Sequence, residues 1–400
     1  MNITESFYKK TILYKFLDQE LKFKVSQDLF SSQNIDHGTQ RLIRSLLYQK
    51  INSYKKALDL GCGYGPIGIV LKKICPSAEV HMVDYDALAI EYCKENVKLN
   101  HVDNVKVYPS LGYEQIATNE FNLITSNIPA KVGKATLKHM IKEAKRYLTE
   151  NGTMAIVVID DINDLVSQFL EKDDDIAILY HQNWPGHHVY HYKFINHKGL
   201  LKPKQLLFGR KLFFRGQNKL RFEDCEYELD VSYNLPEFDQ LNYETSLLID
   251  NIKKIKNNNT NEIICFNVKQ GYIPLVACKA FQRNAVHLVD RDLLALLTAR
   301  HNLKKYGIKA FIYHQVEFKI PKKQFNLIIG IVPRKQKILT YGLYLQQFTD
   351  LLSNNGLMCL SSSSTVISVL FGTIAKSKNI RIAFRKKAKG KSVILLEKVI

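Results

Sequence analysis

The sequence lacks the features that mark several classes of protein. None of its seven cysteines forms a C-x-x-C pair, so neither a zinc site nor a disulfide framework is indicated. A reducing cytoplasm is the expected location. No apolar run approaches the roughly 20 residues that span a bilayer, and the N-terminus has no basic segment followed by an apolar core. We therefore expect no membrane association and no secretion signal.

Acidic residues are scarce in the second half of the chain. Residues 1–200 carry 24 Lys and Arg against 23 Asp and Glu, whereas residues 201–400 carry 33 against 15. Almost the whole net charge of +19 therefore lies in the second half. Basic charge concentrated in one part of a chain favours an anionic partner, most often nucleic acid. A surface that only keeps the protein soluble is the alternative.

The two halves resemble each other at a nearly constant offset. The segment H-M-V-D-Y-D at His81 matches H-L-V-D-R-D at His287, an offset of 206, and Asn96 matches Asn302 at the same offset. The segment F-N-L-I recurs at an offset of 204. The repeat predicts two copies of one fold, with domains over 1–198 and 199–400.

Strand and helix patterns alternate in the first copy. We predict a small β element around 21–25 and then strands over 56–60, 79–84, 121–125 and 154–159. The spacing of apolar residues predicts helices over 87–99 and 134–148, the latter ended by an Asn-Gly pair. This alternation is typical of a doubly wound, mostly parallel α/β sheet.

A glycine-rich segment follows the strand predicted at 56–60. It reads L-D-L-G-C-G-Y-G-P-I-G from Leu58 to Gly68, and its glycines would let the backbone approach a ligand closely. The next strand ends in Asp84, which is placed to bind ribose hydroxyls. The pattern G-x-G-x-x-G within the segment keeps a dinucleotide, or a loop without a ligand, as alternatives. A carboxylate at Asp59 would repel a pyrophosphate and attract a cation, which favours S-adenosylmethionine.

Three features of the first copy resemble class I S-adenosylmethionine-dependent methyltransferases: the glycine segment, Asp84, and the sequence S-N-I-P-A at 126–130. More narrowly, the chain resembles the methyltransferase small domain family, which includes bacterial rRNA guanine-N2 methyltransferases. Members show the pattern F-S-x-x-x-V-D-x-G-T, and residues 30–39 here read F-S-S-Q-N-I-D-H-G-T. The resemblance covers residues 8–195. It implies two tandem Rossmann-like class I methyltransferase domains, the second degenerate.

The resemblance also implies the site residues. An Asn side-chain oxygen and a neighbouring carbonyl can accept the N–H bonds of an exocyclic base amine and aim its lone pair at a methyl group. By resemblance these roles fall to Asn127 and Ile128, with Pro129 stiffening the loop. The implied contacts to S-adenosylmethionine are Asp59, Gly61, Cys62, Gly63, Gly65, Asp84, Tyr85 and Asn127.

Three positions depart from the family pattern. Ile128 replaces the first proline of the usual N-P-P-(aromatic) motif, and Ala130 replaces the aromatic residue. Leu111 stands where many relatives place the acid that reads the adenine amine. This last departure implies either weaker cofactor binding or an adenine read by a backbone group.

The glycine segment is degraded in the second copy. Only Gly271 remains of its loop glycines, and Lys269 would bring positive charge to a site for a cationic cofactor. The counterpart of Asn127 is Ile331, which cannot accept a hydrogen bond from an amine. We therefore expect this copy neither to bind S-adenosylmethionine nor to catalyse.

Basic residues interleaved with phenylalanines favour RNA binding by the second copy. The alternative is that the phenylalanines are core and the basic side chains are solvated. The candidate RNA contacts are Lys204, Arg210, Lys211, Arg215, Lys219, Arg334, Lys335, Arg385, Lys386 and Lys387.

The sequence therefore predicts a cytoplasmic methyltransferase, monomeric by default, that acts on an exocyclic base amine of structured RNA. Guanine N2 in rRNA is the favoured target. A non-catalytic RNA-binding or assembly factor, and a methyltransferase of a protein or small molecule, are the rivals. We expect no metal site, because His187, His188 and His191 have no Cys or acid partner at ligand spacing and are expected on an edge strand.

Overall fold

The protein is described by a computed structural model over residues 3–48, 53–117, 120–196, 212–255, 260–320, 324–334, 336–374 and 379–399. The chain divides into two compact units. The first unit comprises residues 8–213, and the second comprises residues 214–400 together with the N-terminal residues up to Phe7. Among the described residues, no helix has both the length and the apolar character needed to cross a bilayer.

The first unit starts with a hairpin and continues with alternating strands and helices. Its strands are β1 (Tyr8–Phe16), β2 (Gln19–Ser26), β3 (Lys56–Leu60), β4 (Glu79–Asp84), β5 (Val105–Pro109), β6 (Phe121–Asn127), β7 (Leu148–Ile159), β8 (Ile176–Trp184) and β9 (His187–Phe194). Its helices are α2 (His37–Tyr48), α3 (Pro66–Ile74), α4 (Ala87–Leu99), α5 (Lys134–Glu143) and α6 (Asp160–Glu171), with a 3₁₀ turn at Ala144–Arg146.

The second unit repeats this order. Its strands are β10 (Phe214–Phe222), β11 (Cys225–Ser232), β12 (Ile263–Phe266), β13 (Ala285–Asp290), β14 (Lys309–His314), β15 (Phe325–Ile331), β16 (Leu352–Ser363), β17 (Ile380–Ala388) and β18 (Lys391–Lys398). Its helices are α7 (Tyr243–Ile252), α8 (Tyr272–Ala280), α9 (Leu293–Lys305), α10 (Ile338–Leu351) and α11 (Ser364–Ile374), joined by the N-terminal α1 (Ile3–Phe7).

Each unit holds a seven-stranded sheet of the same topology. The orders are β5-β4-β3-β6-β7-β9-β8 and β14-β13-β12-β15-β16-β18-β17. The first five strands of each order are parallel, while β9 and β18 run antiparallel to their neighbours. The parallel strands read as short apolar runs because both faces of the sheet are buried. The predicted fold of two tandem Rossmann-like domains is confirmed.

The order of connections places the site. From β3 the chain winds outward through β4 to β5 and then returns to β6 on the other side of β3. The carboxyl ends of β3 and β6 therefore lie side by side at the switch point, where doubly wound sheets bind ligands.

One predicted helix end was wrong. Helix α5 ends at Glu143, and β7 already begins at Leu148, so the Asn-Gly pair at 151–152 lies inside a strand. Gly152 is required there by close packing, since a Cβ would lie 2.9 Å from the Phe121 carbonyl oxygen. An isolated Gly occurs at helix ends, at β-bulges and where two backbones pack closely. The sequence alone therefore could not distinguish a helix end from a closely packed strand here.

The repeat did not reveal that the N-terminus belongs with the second copy. The Thr340 hydroxyl donates to the Ser6 carbonyl oxygen (2.9 Å), and Phe7 packs edge-on against Tyr344. The units divide between Phe213 and Phe214, whereas the predicted boundary after 198 falls at 197–211, outside the described residues.

Candidate cofactor and active site

The loop after β3 has the shape that its glycines allow. Gly61, Gly63 and Gly65 have φ values of 80°, 56° and 99°, which L-residues with a side chain rarely adopt. A Cβ built on Gly61 or on Gly63 would meet nothing within 4 Å. These two glycines therefore border open space, as expected for a backbone that a ligand approaches.

Gly65 and Gly68 are required for helix packing instead. A Cβ on Gly68 would lie 2.6 Å from Met82 Cε, and one on Gly65 would lie 2.9 Å from the same atom. Both glycines let α3 pack closely on β4. Of the predicted cofactor contacts, Gly65 thus faces packed side chains rather than open space.

Asp59 lies beneath the loop rather than at its open face. Its side chain is 0 % exposed, and Oδ2 accepts a hydrogen bond from the Gly68 backbone N–H (2.8 Å). Oδ1 is buried and has no hydrogen-bond partner among the described residues. Burial, and to a smaller degree the negative charge of Asp84, raise the pKa of Asp59 to about 7, against the lowering effects of the Gly68 N–H and of the Thr125 side chain.

This arrangement fits a cationic cofactor. The open cradle above Gly61 and Gly63 leaves room for a ligand, and an incompletely satisfied carboxylate lies directly under it. A bound positive charge would stabilise the ionised form of Asp59, which burial disfavours. In the second unit the counterpart of Asp59 is Cys265, so the fold itself does not need a carboxylate there.

Asp84 holds the loop from the neighbouring strand. Its Oδ2 accepts from the Gly63 N–H (2.8 Å) and its Oδ1 from the Asp86 N–H (2.9 Å). Burial first, and then the charge of Asp86, raise its pKa to about 6. Asp290 likewise accepts from the Asp292 N–H, and its loop donor is the Val268 N–H, the counterpart of Cys62 rather than of Gly63. An aspartate at the end of this strand therefore holds the loop in both copies. Binding of ribose by Asp84 stays a prediction.

Cys62 and Tyr85 flank this anchor. The Gly61 and Cys62 N–H groups both donate to the Val83 carbonyl oxygen (2.9 Å each). The Cys62 thiol is buried, and burial raises its pKa well above the ordinary value, so it is not a reactive thiolate. Tyr85 follows β4 and is half-buried.

A buried asparagine ties the N-terminal hairpin to the loop. Asn96 Nδ2 donates to the carbonyl oxygens of Tyr64 (2.9 Å) and Lys24 (3.0 Å), and its Oδ1 accepts from the Lys24 N–H (2.8 Å). Asn302 makes the same three contacts with the second hairpin and loop. The repeat had singled out this pair without indicating what it does.

The candidate catalytic segment lies beside the glycine cradle. The Ser126 hydroxyl donates to the Leu60 carbonyl oxygen (2.7 Å), which places Asn127 next to Gly61. Asn127 is half-buried, and Ile128 is buried with its N–H donating to the Val157 carbonyl oxygen (3.0 Å). Pro129 is exposed.

Sequence reasoning missed two neighbours of this segment. Asn127 Nδ2 donates to Asp36 Oδ2 (2.9 Å) and to the Thr39 hydroxyl (3.1 Å). The D-x-G-T pattern, used above only to recognise a resemblance, was the available signal. Asp36 and Thr39 lie in the second half of the segment 31–39. At the start of that segment, the Tyr64 hydroxyl donates to the Ser31 carbonyl oxygen (3.4 Å). Residues 31–39 therefore run from the glycine loop to Asn127.

Leu111 cannot offer its backbone N–H to an adenine in this conformation. Its side chain is buried, and its N–H donates to Gln115 Oε1 (2.8 Å). The Leu111 N–H is therefore not available as the backbone group that reads an adenine, and weaker cofactor binding or an adenine read by another backbone group both stay predictions.

Residues with side chains replace two of the loop glycines in the second unit. Asn267 and Lys269 keep positive φ values of 49° and 50° at the positions of Gly61 and Gly63. Lys269 Nζ donates to Glu237 Oε1 (2.6 Å), and Glu237 is buried. The Lys269 charge, which the sequence suggested as the obstacle to a cationic cofactor, is thus paired with a carboxylate of the same unit, and the absence of cofactor binding here stays a prediction.

Four of the candidate RNA contacts, Lys204, Arg210, Lys211 and Lys335, lie outside the described residues. Three others form ion pairs within the unit: Arg215 with Asp239 (2.8 Å), Lys219 with Glu226 (2.8 Å), and Arg334 with Glu244 (2.9 Å). These three cations are therefore each paired with a carboxylate of the same unit.

The remaining candidates lie on β17. Lys386 and Lys387 are exposed and have no ion-pair partner among the described residues. Arg385 is exposed, donates to the Ser368 hydroxyl (3.3 Å) and stacks over Phe371. With the exposed Lys389 at the following turn, these residues form a positively charged surface that we call the basic hairpin.

The histidines of β9 were expected on an edge strand, and this was wrong. Strand β9 lies between β7 and β8. His191 is buried and its Nε2 is 2.8 Å from the Ser45 hydroxyl, while His187 Nδ1 is 2.8 Å from Arg41. Within the described ranges, no three potential metal ligands lie together.

Curated relatives match about a third of the chain's length. One relative, the ribosomal RNA small subunit methyltransferase C of Haemophilus influenzae, is 37% identical over 133 residues, which is 32% of this chain and 39% of the relative. YbxB of Bacillus subtilis, an uncharacterized protein, is 29% identical over 151 residues, covering 38% of this chain and 74% of the relative. The matched part is thus less than half the length of the rRNA methyltransferase relative.

A solved structure matches the whole chain. The 16S rRNA N2 methyltransferase of T. thermophilus, in complex with AdoMet and guanosine, has a TM-score of 0.65 over 99% of both chains at 14% identity. This likeness shows that the tandem fold is shared. The model of the methyltransferase small domain family matches residues 20–172 and again 238–357, one match in each unit. These findings confirm the expected fold and enzyme class: the chain belongs to the methyltransferase small domain family.

Proposed function

We propose that the first unit transfers a methyl group from S-adenosylmethionine to an exocyclic amine of a base in structured RNA, guanine N2 of rRNA being the favoured target. The observation that carries this is the place of Asn127. The Ser126–Leu60 hydrogen bond (2.7 Å) sets Asn127 beside the open cradle of Gly61 and Gly63. An amide acceptor at the edge of a methyl-donor site suits an amine, whose lone pair must be aimed rather than deprotonated first.

Each residue has a defined part in this proposal. Gly61 and Gly63 admit the cofactor, Asp59 stabilises its positive charge, and Asp84 holds the loop and binds ribose. S-adenosylmethionine supplies a methyl group on a sulfonium. Asn127 Oδ1 and the Ile128 carbonyl oxygen accept the two amine N–H bonds. The amine nitrogen forms the N–C bond as the C–S bond breaks, its electron pair stays on sulfur, and one amine proton leaves to water.

Two observations support RNA as the substrate. The basic hairpin offers exposed cations that no described carboxylate neutralises, as binding of phosphates requires. Curated relatives of the chain carry the name ribosomal RNA small subunit methyltransferase C, and the matched T. thermophilus structure holds guanosine. A protein or small-molecule substrate would leave the charge of the second unit without a use.

The test uses RNA from cells in which the gene for this protein has been deleted. The full chain is incubated with this RNA and S-adenosylmethionine, and the methylated nucleosides are identified by mass spectrometry. We expect N2-methylguanosine to appear, and Asn127→Ala to abolish it while S-adenosylmethionine still binds. As a control, the same Asn-to-Ala change at Asn267, at the position of Gly61 in the second unit, should leave the rate unchanged. Wild-type methylation by Asn127→Ala would contradict the assignment.

The second candidate is an RNA-binding scaffold without catalysis. The engaged N–H and apolar side chain of Leu111 favour it, because they remove a means of holding adenine. Calorimetry with S-adenosylmethionine separates the two functions: a single site per chain supports the enzyme, and no heat at millimolar ligand supports the scaffold.

A further inference from the structure

The amide of Asn127 is held by its nitrogen. Nδ2 is 2.9 Å from Asp36 Oδ2 and 3.1 Å from the Thr39 hydroxyl oxygen. An ionised carboxylate only accepts hydrogen bonds, so the end of the amide that faces Asp36 must be the NH₂ group. The other end, Oδ1, is thereby turned away from Asp36.

We propose that Asp36, assisted by Thr39, is a positioning residue that fixes the amide of Asn127 with its oxygen toward the substrate. An amide free to rotate could present NH₂ to a carbonyl or ring nitrogen equally well. The fixed amide instead selects a target atom that donates N–H, which is an exocyclic amine. This inference rests on the proposed function, and it adds the residues that decide which class of base atom the site accepts.

Asp36 is itself held rigidly. Its Oδ2 also accepts from the Thr39 N–H (3.1 Å) at the start of α2, and its carbonyl oxygen accepts from the Gln40 N–H (3.0 Å). Gly38 allows this packing, because a Cβ there would lie 2.9 Å from Asp36 Oδ2 and 2.7 Å from His187 Cδ2. The carboxylate therefore cannot easily turn away from Asn127.

The second unit serves as an internal comparison. Its counterpart of Asn127 is Ile331, which has no amide to orient. Its counterpart of Asp36 is Asn242, which begins α7 without a side-chain capping bond. The threonine is kept, but the Thr245 hydroxyl donates to Glu237 instead (2.5 Å). The carboxylate is thus absent from the unit in which there is no amide to hold.

The first test separates positioning from helix capping. Serine caps helices about as well as aspartate, but it is too short to reach Asn127, so Asp36→Ser should keep the cap and lose the contact. We expect kcat to fall about ten- to hundredfold, as for loss of a charge-assisted hydrogen bond, with KM for S-adenosylmethionine unchanged. Asp292→Ser, at the start of α9, changes a capping aspartate of the second unit and should leave kcat unchanged. Equal rates for the two variants would overturn the proposal.

The second test exchanges the partners. Asn127→Asp places two carboxylates together, so we expect it to lose methylation as Asn127→Ala does. Adding Asp36→Asn restores a donor and an acceptor with their roles reversed, and again leaves an oxygen facing the substrate. We expect the double variant to be at least tenfold faster than Asn127→Asp, and no recovery would overturn the proposal. A fully active Asn127→Ala would instead defeat the proposed function, whatever Asp36 does.

Discussion

Asp59 reaches across the base of the glycine loop to bind the Gly68 N–H at 2.8 Å, and its second oxygen is buried without a partner among the described residues. One carboxylate oxygen therefore shapes the loop. Burial of the other oxygen costs desolvation free energy that no hydrogen bond within the described part of the chain offsets. Cys265 stands in this place in the second unit, where Lys269 replaces Gly63 and pairs with Glu237. The carboxylate is thus present in the copy with an open cradle, which is why we assign it to the cofactor.

Replacing Asp59 should stabilise the fold in a pH-dependent way. The pKa of about 7 lies above the ordinary value, so ionising Asp59 costs the folded state free energy that is absent below about pH 4 and complete above pH 7. Asp59→Asn removes this cost, up to about 4 kcal/mol at pH 8. Thermal unfolding should show the variant more stable than wild type at pH 8, with the difference shrinking toward pH 4.

The same substitution should weaken binding of S-adenosylmethionine. The ionised carboxylate attracts the sulfonium, so the affinity ratio of wild type to Asp59→Asn should rise as the pH increases from 6 to 8. Calorimetry at both pH values measures it. A ratio that stays constant across this range would show that the charge of Asp59 does not reach the cofactor.

The two kinds of glycine in the loop should respond differently to alanine. Gly63 borders open space, so Gly63→Ala should cost only the roughly 1–2 kcal/mol of a left-handed backbone while blocking the cofactor. Gly68→Ala should collide with Met82 and cost about 1–3 kcal/mol of stability. Chemical denaturation and cofactor titration of both variants check this. Loss of binding in Gly68→Ala at full folding would contradict the division.

Much of this fold was predictable because its signals are local or repeated. The predicted strands at Lys56–Leu60 and Glu79–Asp84 and the helix at Ala87–Leu99 have the predicted bounds. Short apolar runs and one-sided helical spacing reflect which positions are buried. In this fold, helices cover both faces of the sheet and bury those positions. The Asn-Gly pair at 151–152 misled because the constraint on Gly152 is a contact with Phe121, a residue distant in sequence.

The site was predictable in its loop but not in its hydrogen bonds. Glycines and aspartates mark the cradle by spacing alone. The contact of Asp36 with Asn127 joins residues 91 apart, and no spacing rule connects them. The same holds for the ion pairs of Arg215 and Arg334, which look like free cations in the sequence until Asp239 and Glu244 are placed beside them.

Neutralising the basic hairpin should weaken RNA binding without affecting cofactor binding. Each phosphate contact contributes about 0.7–0.9 to the slope of log affinity against log salt concentration. Lys386→Gln with Lys387→Gln should therefore lower that slope by up to about 2. Lys94→Gln with Lys98→Gln, an equal change of charge on α4 of the first unit, is the control. Equal slopes for the two double variants would contradict binding by the hairpin.

Breaking the ion pair between Lys269 and Glu237 should destabilise the second unit. Glu237 is buried beneath Lys269 and has its Oε2 unpartnered among the described residues. Lys269→Met leaves a buried carboxylate without its cation, which costs about 3–5 kcal/mol. Adding Glu237→Gln removes that charge and should restore most of the stability, as denaturant unfolding would show. If the double variant were as unstable as Lys269→Met, then packing rather than charge would account for the loss, and opening this crevice would need more than removal of the lysine.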